Sequence, residues 1–538
     1  MSYPTRRTFL QQTSALSLLY GTRRAFPQIQ NTPPSMPNMA HTVNPNAPDH
    51  TVPMLHPLEL PPFVDSLPLP ETLHPISGKL RITMREIHAQ VHRDLQATRM
   101  WSYGPTALAP VIEASSGQPL QIEWVNNLPT RHFLPIDHSL HGCGHDIPDV
   151  RAIVHVHGAR CPSKDDGYPE DWFLPGHSRT CRYPLQQDAA TLWYHDHAMG
   201  INRLNTYAGL FGMFLIRDHV EEALNLPSGK YEVPLILYDR NFTADGQLFY
   251  ATSGDPDHPW VPEFTGDGLL VNGKLRPFFE VEPRLYRFRV VNVANSRFFT
   301  LSLSNQQPLT QIGTDQGLLA SPVEVHPLTL APAERADLLI DFSQSAGQTV
   351  HLRTGALDIL QFRVAKITTS APTISAPAPK TLRTIHRTPE STATTTRTIT
   401  LNEFQDKIGI PMVMLLNRKH WHEPVTETPK LNSTEIWEFV NLTEDTHPMH
   451  MHLVRFQILD RRPFDPFDYL MQKKLRFTAE ASPPAPNESG WKDTVQCPDG
   501  VITRVLVRFE GYTGKFLYHC HVLEHEANDM MRPFEVID

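Results

Sequence analysis

The sequence predicts an all-β chain built from three related sandwich units, and three observations carry that prediction. Short apolar runs rich in Val, Ile, Thr, Phe and Tyr are separated by plentiful Gly and Pro (27 and 50 of 538 residues), and no long helical heptad pattern occurs. A chain of 538 residues exceeds what one hydrophobic core serves and implies about three domains. Segments also repeat. IEWVNNLP (122–129), YRFRVVNVAN (286–295) and IWEFVNLT (436–443) each read as a strand ending at Asn. FGMFLIRD (211–218), ERADLLIDF (334–342) and MMRPFEVID (530–538) read as closing strands.

Residues 1–40 read as an export signal with an extended N-terminal segment. Thr5-Arg6-Arg7-Thr8-Phe9-Leu10 fits a twin-arginine pattern and precedes the short apolar stretch TSALSLLYG, although Arg23-Arg24 follows and no A-x-A cleavage site is present. Use of the twin-arginine export machinery and a periplasmic or extracellular location are expected. The first unit spans 41–220 and ends near the polar VEEALNLPSGK; the second spans 221–367. Residues 368–398, rich in Thr, Pro, Ala and Ser, read as a linker, and 399–538 as the third unit. Where the third unit has HPMHMHL, the second has Arg297-Phe298-Phe299-Thr300-Leu301-Ser302-Leu303, so the middle unit is expected to bind no metal and to act as a spacer.

The chemistry is concentrated in His519-Cys520-His521, followed by His525 and Met530. On a strand, alternate side chains face opposite ways, so His519 and His521 share one face and Cys520 takes the other. One strand can then serve an imidazole site and a thiolate site. Two His and one Cys with a weak axial Met form a blue-copper electron-transfer site. His447-Pro448-Met449-His450-Met451-His452 supplies the missing His. Four His-x-His pairs lie in or beside β-prone runs, at 155/157, 195/197, 450/452 and 519/521. With 28 His, chance gives roughly one or two such pairs. The fifth, His420-Trp421-His422, sits in polar sequence and is expected to have no copper role. Eight imidazoles exceed one mononuclear site and suit three coppers.

These motifs resemble the copper signatures of the multicopper oxidases. Segments such as HRDLQATRMWSYG (92–104), DGYPEDWF (166–173), WYHDHAMG (193–200), LAPAERADLLIDF (330–342) and LEHEANDMMRPFEV (523–536) are similar to the bacterial spore-coat-type laccases and, more distantly, to bilirubin oxidases. The resemblance covers roughly residues 60–538. It implies three cupredoxin-like Greek-key β-sandwich domains and four coppers per chain. The type 1 copper would take His447, Cys520 and His525 with Met530 axial, Met531 being the adjacent competitor. The type 2 copper would take His155 and His450. One type 3 copper would take His157, His195 and His521, and the other His197, His452 and His519. Asp166 and Glu526 would deliver protons. The activity implied is one-electron oxidation of small aromatic donors (phenols, aromatic amines or tetrapyrroles such as bilirubin), coupled to reduction of O2 to water.

The loop before His447 departs from the spore-coat-type pattern, which tends to place a basic residue there; this chain reads Glu444-Asp445-Thr446. A more acidic substrate cleft is therefore expected. Of the other four Cys, Cys161 and Cys181 are candidates for a disulfide, against free buried thiols. His141, Cys143 and His145 in HSLHGCGHD more plausibly belong to a solvated loop than to a metal site. The alternatives to a laccase are a Cu(I) metallo-oxidase and a non-enzymatic exported scaffold. Only Met412 and Met414 pair up outside the ligand motifs, against the first; all twelve ligand positions are intact, against the second. The net charge of −9 with no basic run argues against a nucleic-acid partner. No run reaches the ~18 apolar residues of a membrane span. A monomer is expected.

Overall fold

The computed structural model describes residues 52–255, 257–367, 379–406 and 411–538. The segment read as a twin-arginine signal lies outside them. Strands dominate, and no helix among the described residues exceeds seven residues. None is long and apolar enough to cross a membrane.

Six sheets fall into three pairs along the chain. In each pair an early strand runs parallel to a later Asn-terminated one. Lys79–Ala89 pairs with Leu120–Asn127, Glu232–Phe242 with Leu285–Asn292, and Thr395–Gln405 with Thr434–Asn441. The Asn-terminated segments of the sequence repeat thus occupy equivalent places in three sandwiches. Each encloses its own apolar core, with Trp124, Phe288 and Trp437 among the fully buried rings.

The closing strands correct the sequence reading. Phe211–Arg217 runs parallel to Val111–Ser115 and antiparallel to Ala190–Asp196. The second unit's equivalent is Leu357–Val364, parallel to Phe278–Val281 and antiparallel to Thr349–Thr354. The ERADLLIDF segment forms Arg335–Asp341, which lies instead against Leu285–Asn292, as Ser178–Tyr183 lies against Leu120–Asn127. Both segments are apolar β runs ending in Asp, and pairing rather than pattern tells them apart.

The stretch read as a linker is tied down where it is described. Leu382 is buried with Leu226 and Ile312, Arg383 pairs with Asp188 at 2.9 Å, and the strand Thr395–Gln405 begins inside it. In the middle unit Phe299–Leu303 occupies the place that His447–Met451 holds in the third, antiparallel to two neighbours in both cases. There Phe299, Leu301 and Leu303 are buried in the apolar core.

Candidate metal centre

Two antiparallel strand pairs deliver the histidines. In the first unit Val154–His157 lies against Ala190–Asp196, with His155 directly opposite His195. In the third, His447–Met451 lies against Gly514–Cys520, with His450 opposite His519. Directly opposed residues share a face of the sheet. His197, His452 and His521 each fall one residue beyond a strand end, and backbone N–H bonds to Ile153, Leu517 and Pro448 (2.8, 2.9 and 2.7 Å) hold them in line. The two strand pairs meet face to face: His157 stacks on His450 at 3.6 Å between ring centroids and His155 on His452 at 3.8 Å. Three triads result, each with its ligand atoms within 4.8 Å of one another: His157/His195/His521, His197/His452/His519 and His155/His157/His450.

The opposite face of the same strand pair carries the thiol. Cys520 is opposed by Met449 and turns into the apolar core. Its Sγ lies 3.5 Å from His447 Nδ1 and 3.7 Å from His525 Nδ1, and the two nitrogens are 3.2 Å apart. Val522 N–H points at the sulfur at 3.4 Å. Met530 is buried in the same apolar cluster, and its backbone bonds to Cys520 N and His525 O (3.0 Å each). Met531 lies in a different cluster with Met199, Trp421 and Leu517, so the two methionines face apart.

Hydrogen bonds fix which ring nitrogen keeps its lone pair. Backbone carbonyls can only accept, so Nδ1 is the protonated atom in His155 (to Asp166 O, 2.7 Å), His195 (Asp196 O, 2.9 Å), His450 (Asp493 O, 2.8 Å) and His519 (Cys520 O, 2.9 Å). His452 Nδ1 donates to Asp166 Oδ2 (2.8 Å) and His157 Nε2 to Asp493 Oδ1 (3.0 Å). Near Cys520 the Thr443 hydroxyl donates to Asn441 Oδ1 (2.9 Å), which leaves it to accept from His447 Nε2 (2.6 Å) and turns the Nδ1 lone pair toward the sulfur. The opposite nitrogens of His155, His157, His195 and His450 are fully buried without any hydrogen-bond partner, as are both nitrogens of His521. Such orphaned acceptors are costly unless a cation takes them.

Electrostatics agree. Burial, reinforced by neighbouring imidazoles, holds His157, His195, His450, His452 and His521 well below the usual imidazole range; in His197 burial also dominates. Burial lowers His447 to about 3. All are neutral and ligand-competent. Burial pushes the Cys520 thiol well up, so its thiolate needs a cation beside it. Neutral nitrogens plus one thiolate suit copper.

Carboxylates support the imidazoles from outside. Asp166 accepts from His452 and its Oδ1 is 3.5 Å from His155 Nδ1. Glu526 accepts from Asn202 at 2.6 Å and lies 3.2 Å from His519 Nδ1 and 3.4 Å from His197 Nε2. Burial raises its carboxyl, but His519 and His197 beside it bring the net below the ordinary range. Sequence reasoning missed Asp493, which accepts from His157 while Arg335 of the middle unit grips it at 2.7 and 2.5 Å and Gln316 donates at 2.6 Å. Burial pushes Asp493 up, and Arg335 overrides it to a net lowering. Its signal is strand pairing: Thr494 stands opposite His450.

Other readings resolve differently. Cys161 and Cys181 are separate buried thiols, because Cys161 donates to Asp166 Oδ1 at 3.6 Å rather than bonding to sulfur. Cys143 contacts Arg151 at 3.5 Å, and among the described residues His141, Cys143 and His145 form no metal-type group. His420 and His422 are exposed and stack with His141, outside the metal-type groups among the described residues, and His420 Nδ1 lies 2.6 Å from Asp529.

Asp493→Ala removes the nearest counter-charge of the buried Arg335, leaving it Asp315 at 3.7 Å, and leaves His157 Nε2 with Thr494 Oγ1 at 3.2 Å. It is expected to destabilise the protein by about 3–5 kcal/mol and to weaken metal retention by about 10–100-fold. Chemical unfolding and copper content after chelator challenge check this; full retention would contradict it.

Comparison with known proteins bears on this geometry. Family models described as multicopper oxidase match residues 146–221, 238–354 and 380–538. A laccase of Bacillus subtilis (strain 168) is 44% identical over 513 residues, covering 89% of this chain and 99% of the relative. A laccase of Haloferax volcanii is 38% identical, covering 88% and 85%. Among solved structures, the laccase from Pediococcus acidilactici Pa5930 superposes with a TM-score of 0.73 at 27% identity, covering 89% of this chain and 95% of that one. The McoA multicopper oxidase of Aquifex aeolicus gives 0.73 at 27%, covering 88% and 99%. With its histidine groups, its buried thiol and these relatives, the chain belongs to the multicopper oxidase family.

Proposed function

We propose that the protein is a laccase-type oxidase that removes electrons singly from small aromatic donors (phenols, aromatic amines or tetrapyrroles such as bilirubin) and reduces O2 to water. The observation that carries this is the double use of one strand: Cys520 joins His447 and His525 on one face, while its neighbours His519 and His521 enter the eight-histidine group on the other. His447, Cys520, His525 and Met530 would hold one copper. His155 and His450 would hold a second, His157, His195 and His521 a third, and His197, His452 and His519 a fourth. Bound in these residues, copper would supply reversible one-electron chemistry and the capacity to reduce O2 by four electrons. Single peptide bonds join Cys520 to His519 and His521, which is the shortest covalent route between the two ligand sets.

The chain's own acids handle the protons. Asp166 and Glu526 are buried beside the cluster, Asp166 against His155 and His452 and Glu526 against His197 and His519. Each would hold a proton at a carboxylate oxygen and pass it inward as O2 is reduced. On the donor side, His525 Nε2 is buried and faces Glu263 Oε1 at 3.9 Å. Burial, then Asp445 and other nearby carboxylates, raises Glu263 to about 8. Glu444 is exposed on the same loop as Asp445. Glu263, raised that far, is mostly protonated near neutral pH, so the rim owes its acidity to the Glu444–Asp445 loop; that rim favours cationic or neutral aromatic donors over anionic ones. The N-terminal twin-arginine pattern supports export of the protein to the periplasm or extracellular space.

Copper-loaded protein in air is expected to show an intense blue thiolate-to-Cu(II) band that Cys520→Ser abolishes; a colourless protein with full copper content would refute the laccase reading. Glu526→Gln is expected to keep the band yet slow turnover by about 10²-fold or more, with a changed pH profile; unchanged turnover at every pH would remove Glu526 from proton delivery. Glu444→Arg should lower the KM of an anionic donor relative to a neutral one, and an unchanged ratio would count against the acidic rim. Replacing Arg6 and Arg7 together by Lys should retain the protein in the cytoplasm of a bacterial host, where undiminished export would exclude the twin-arginine route.

A further inference from the structure

The segment that carries His525 is the helix Leu523–Ala527, one turn and a half long and fully buried. A helix this short has little stability of its own, so its placement depends on outside partners. The His525 side chain makes no tether of its own: Nδ1 faces Cys520 and His447, and Nε2 has no hydrogen bond. Its neighbours do the holding. Glu526 is anchored toward the histidine cluster. Glu524 points the other way, into the middle unit, where its carboxylate accepts from Tyr250 (2.6 Å), Asn295 (2.8 Å) and Ser296 (2.7 Å).

The backbone is gripped from the same direction. Glu524 O accepts from Trp260 Nε1 at 3.0 Å, and Leu523 N donates to Asn295 O at 3.0 Å. Asn295 in turn reaches Arg203 O of the first unit at 3.1 Å, and the Arg203 guanidinium sits 5.2 Å over the Tyr250 ring. Glu524 is completely buried with both carboxylate oxygens in use. A carboxylate of that kind, accepting three hydrogen bonds in a dry setting, fixes geometry far more tightly than an apolar contact.

We infer that Glu524 is a positioning residue for His525, through which the middle unit sets the geometry of the thiolate copper site without contributing a ligand. The inference rests on the copper reading of His447, Cys520 and His525. Neither Ser296 nor Tyr250 is a proposed ligand; Ser296 Oγ also accepts from Phe264 N at 3.1 Å, so Tyr250→Phe is the cleaner probe of the tether.

The experiment measures copper content, the blue band, the Cu(II) electron paramagnetic resonance hyperfine splitting and the reduction potential of the thiolate site in copper-loaded wild type, Ser296→Ala, Tyr250→Phe, Glu524→Gln and Glu524→Ala. In Ser296→Ala and Tyr250→Phe the hyperfine splitting and potential are expected to shift in a common direction at unchanged copper content. Glu524→Ala should shift further and lose band intensity. Glu524→Gln should lie between, because its amide oxygen can still accept from Tyr250 and Asn295 while its NH2 donates to the Ser296 hydroxyl. If Glu524→Ala fails to fold, Ser296→Ala and Tyr250→Phe decide. Lowered thermal stability with unmoved splitting and potential in these variants overturns the positioning role. Absence of the blue band in the wild type overturns the copper reading itself.

Discussion

Eight buried imidazoles brought together are the constraint on which the rest of this molecule depends. Burial holds His157, His195, His197, His450, His452 and His521 well below the usual imidazole range, and several of the ring nitrogens have no protein partner. Such a group is tolerable only around cations, and its geometry has to be held before the cations arrive. The surrounding structure supplies that hold. Backbone carbonyls of Asp166, Asp196, Asp493 and Cys520 fix the protonated side of four rings, and the carboxylates of Asp166 and Asp493 fix two more.

The same requirement explains why three sandwiches are needed. The first and third units each contribute one antiparallel strand pair, and stacking of His155 on His452 and His157 on His450 brings the two pairs together. The middle unit has Phe299, Leu301 and Leu303 where ligands would stand, yet it is no passive spacer. Its Arg335 neutralises Asp493 beneath the cluster, and its Asn295 and Ser296 hold the segment that bears His525. The unit without ligands thereby supports both metal sites from behind.

Much of this was legible in the sequence because it is written in periods. Alternation along a strand puts His519 and His521 on one face and Cys520 on the other, and the structure realises it through the pairing of His450 with His519 and of Met449 with Cys520. The resemblance to multicopper oxidases was carried by contiguous motifs. What escaped depends on contacts between distant segments. Asp493 becomes meaningful only once its strand lies beside His450, and Arg335 sits 158 residues from it in sequence. The misplacement of ERADLLIDF and the separate thiols of Cys161 and Cys181 have the same origin: an apolar β run does not state its partner, and Cys161 is held by a carboxylate that sequence spacing does not reveal.

The most direct test of the double use of one strand is copper anomalous diffraction from crystals of the loaded protein. The expected result is four peaks: one bonded to Cys520 Sγ and the Nδ1 atoms of His447 and His525, and three grouped among the eight histidines. A peak at the histidines with none at Cys520, or copper bound only at surface residues such as His420 and His422, would contradict it.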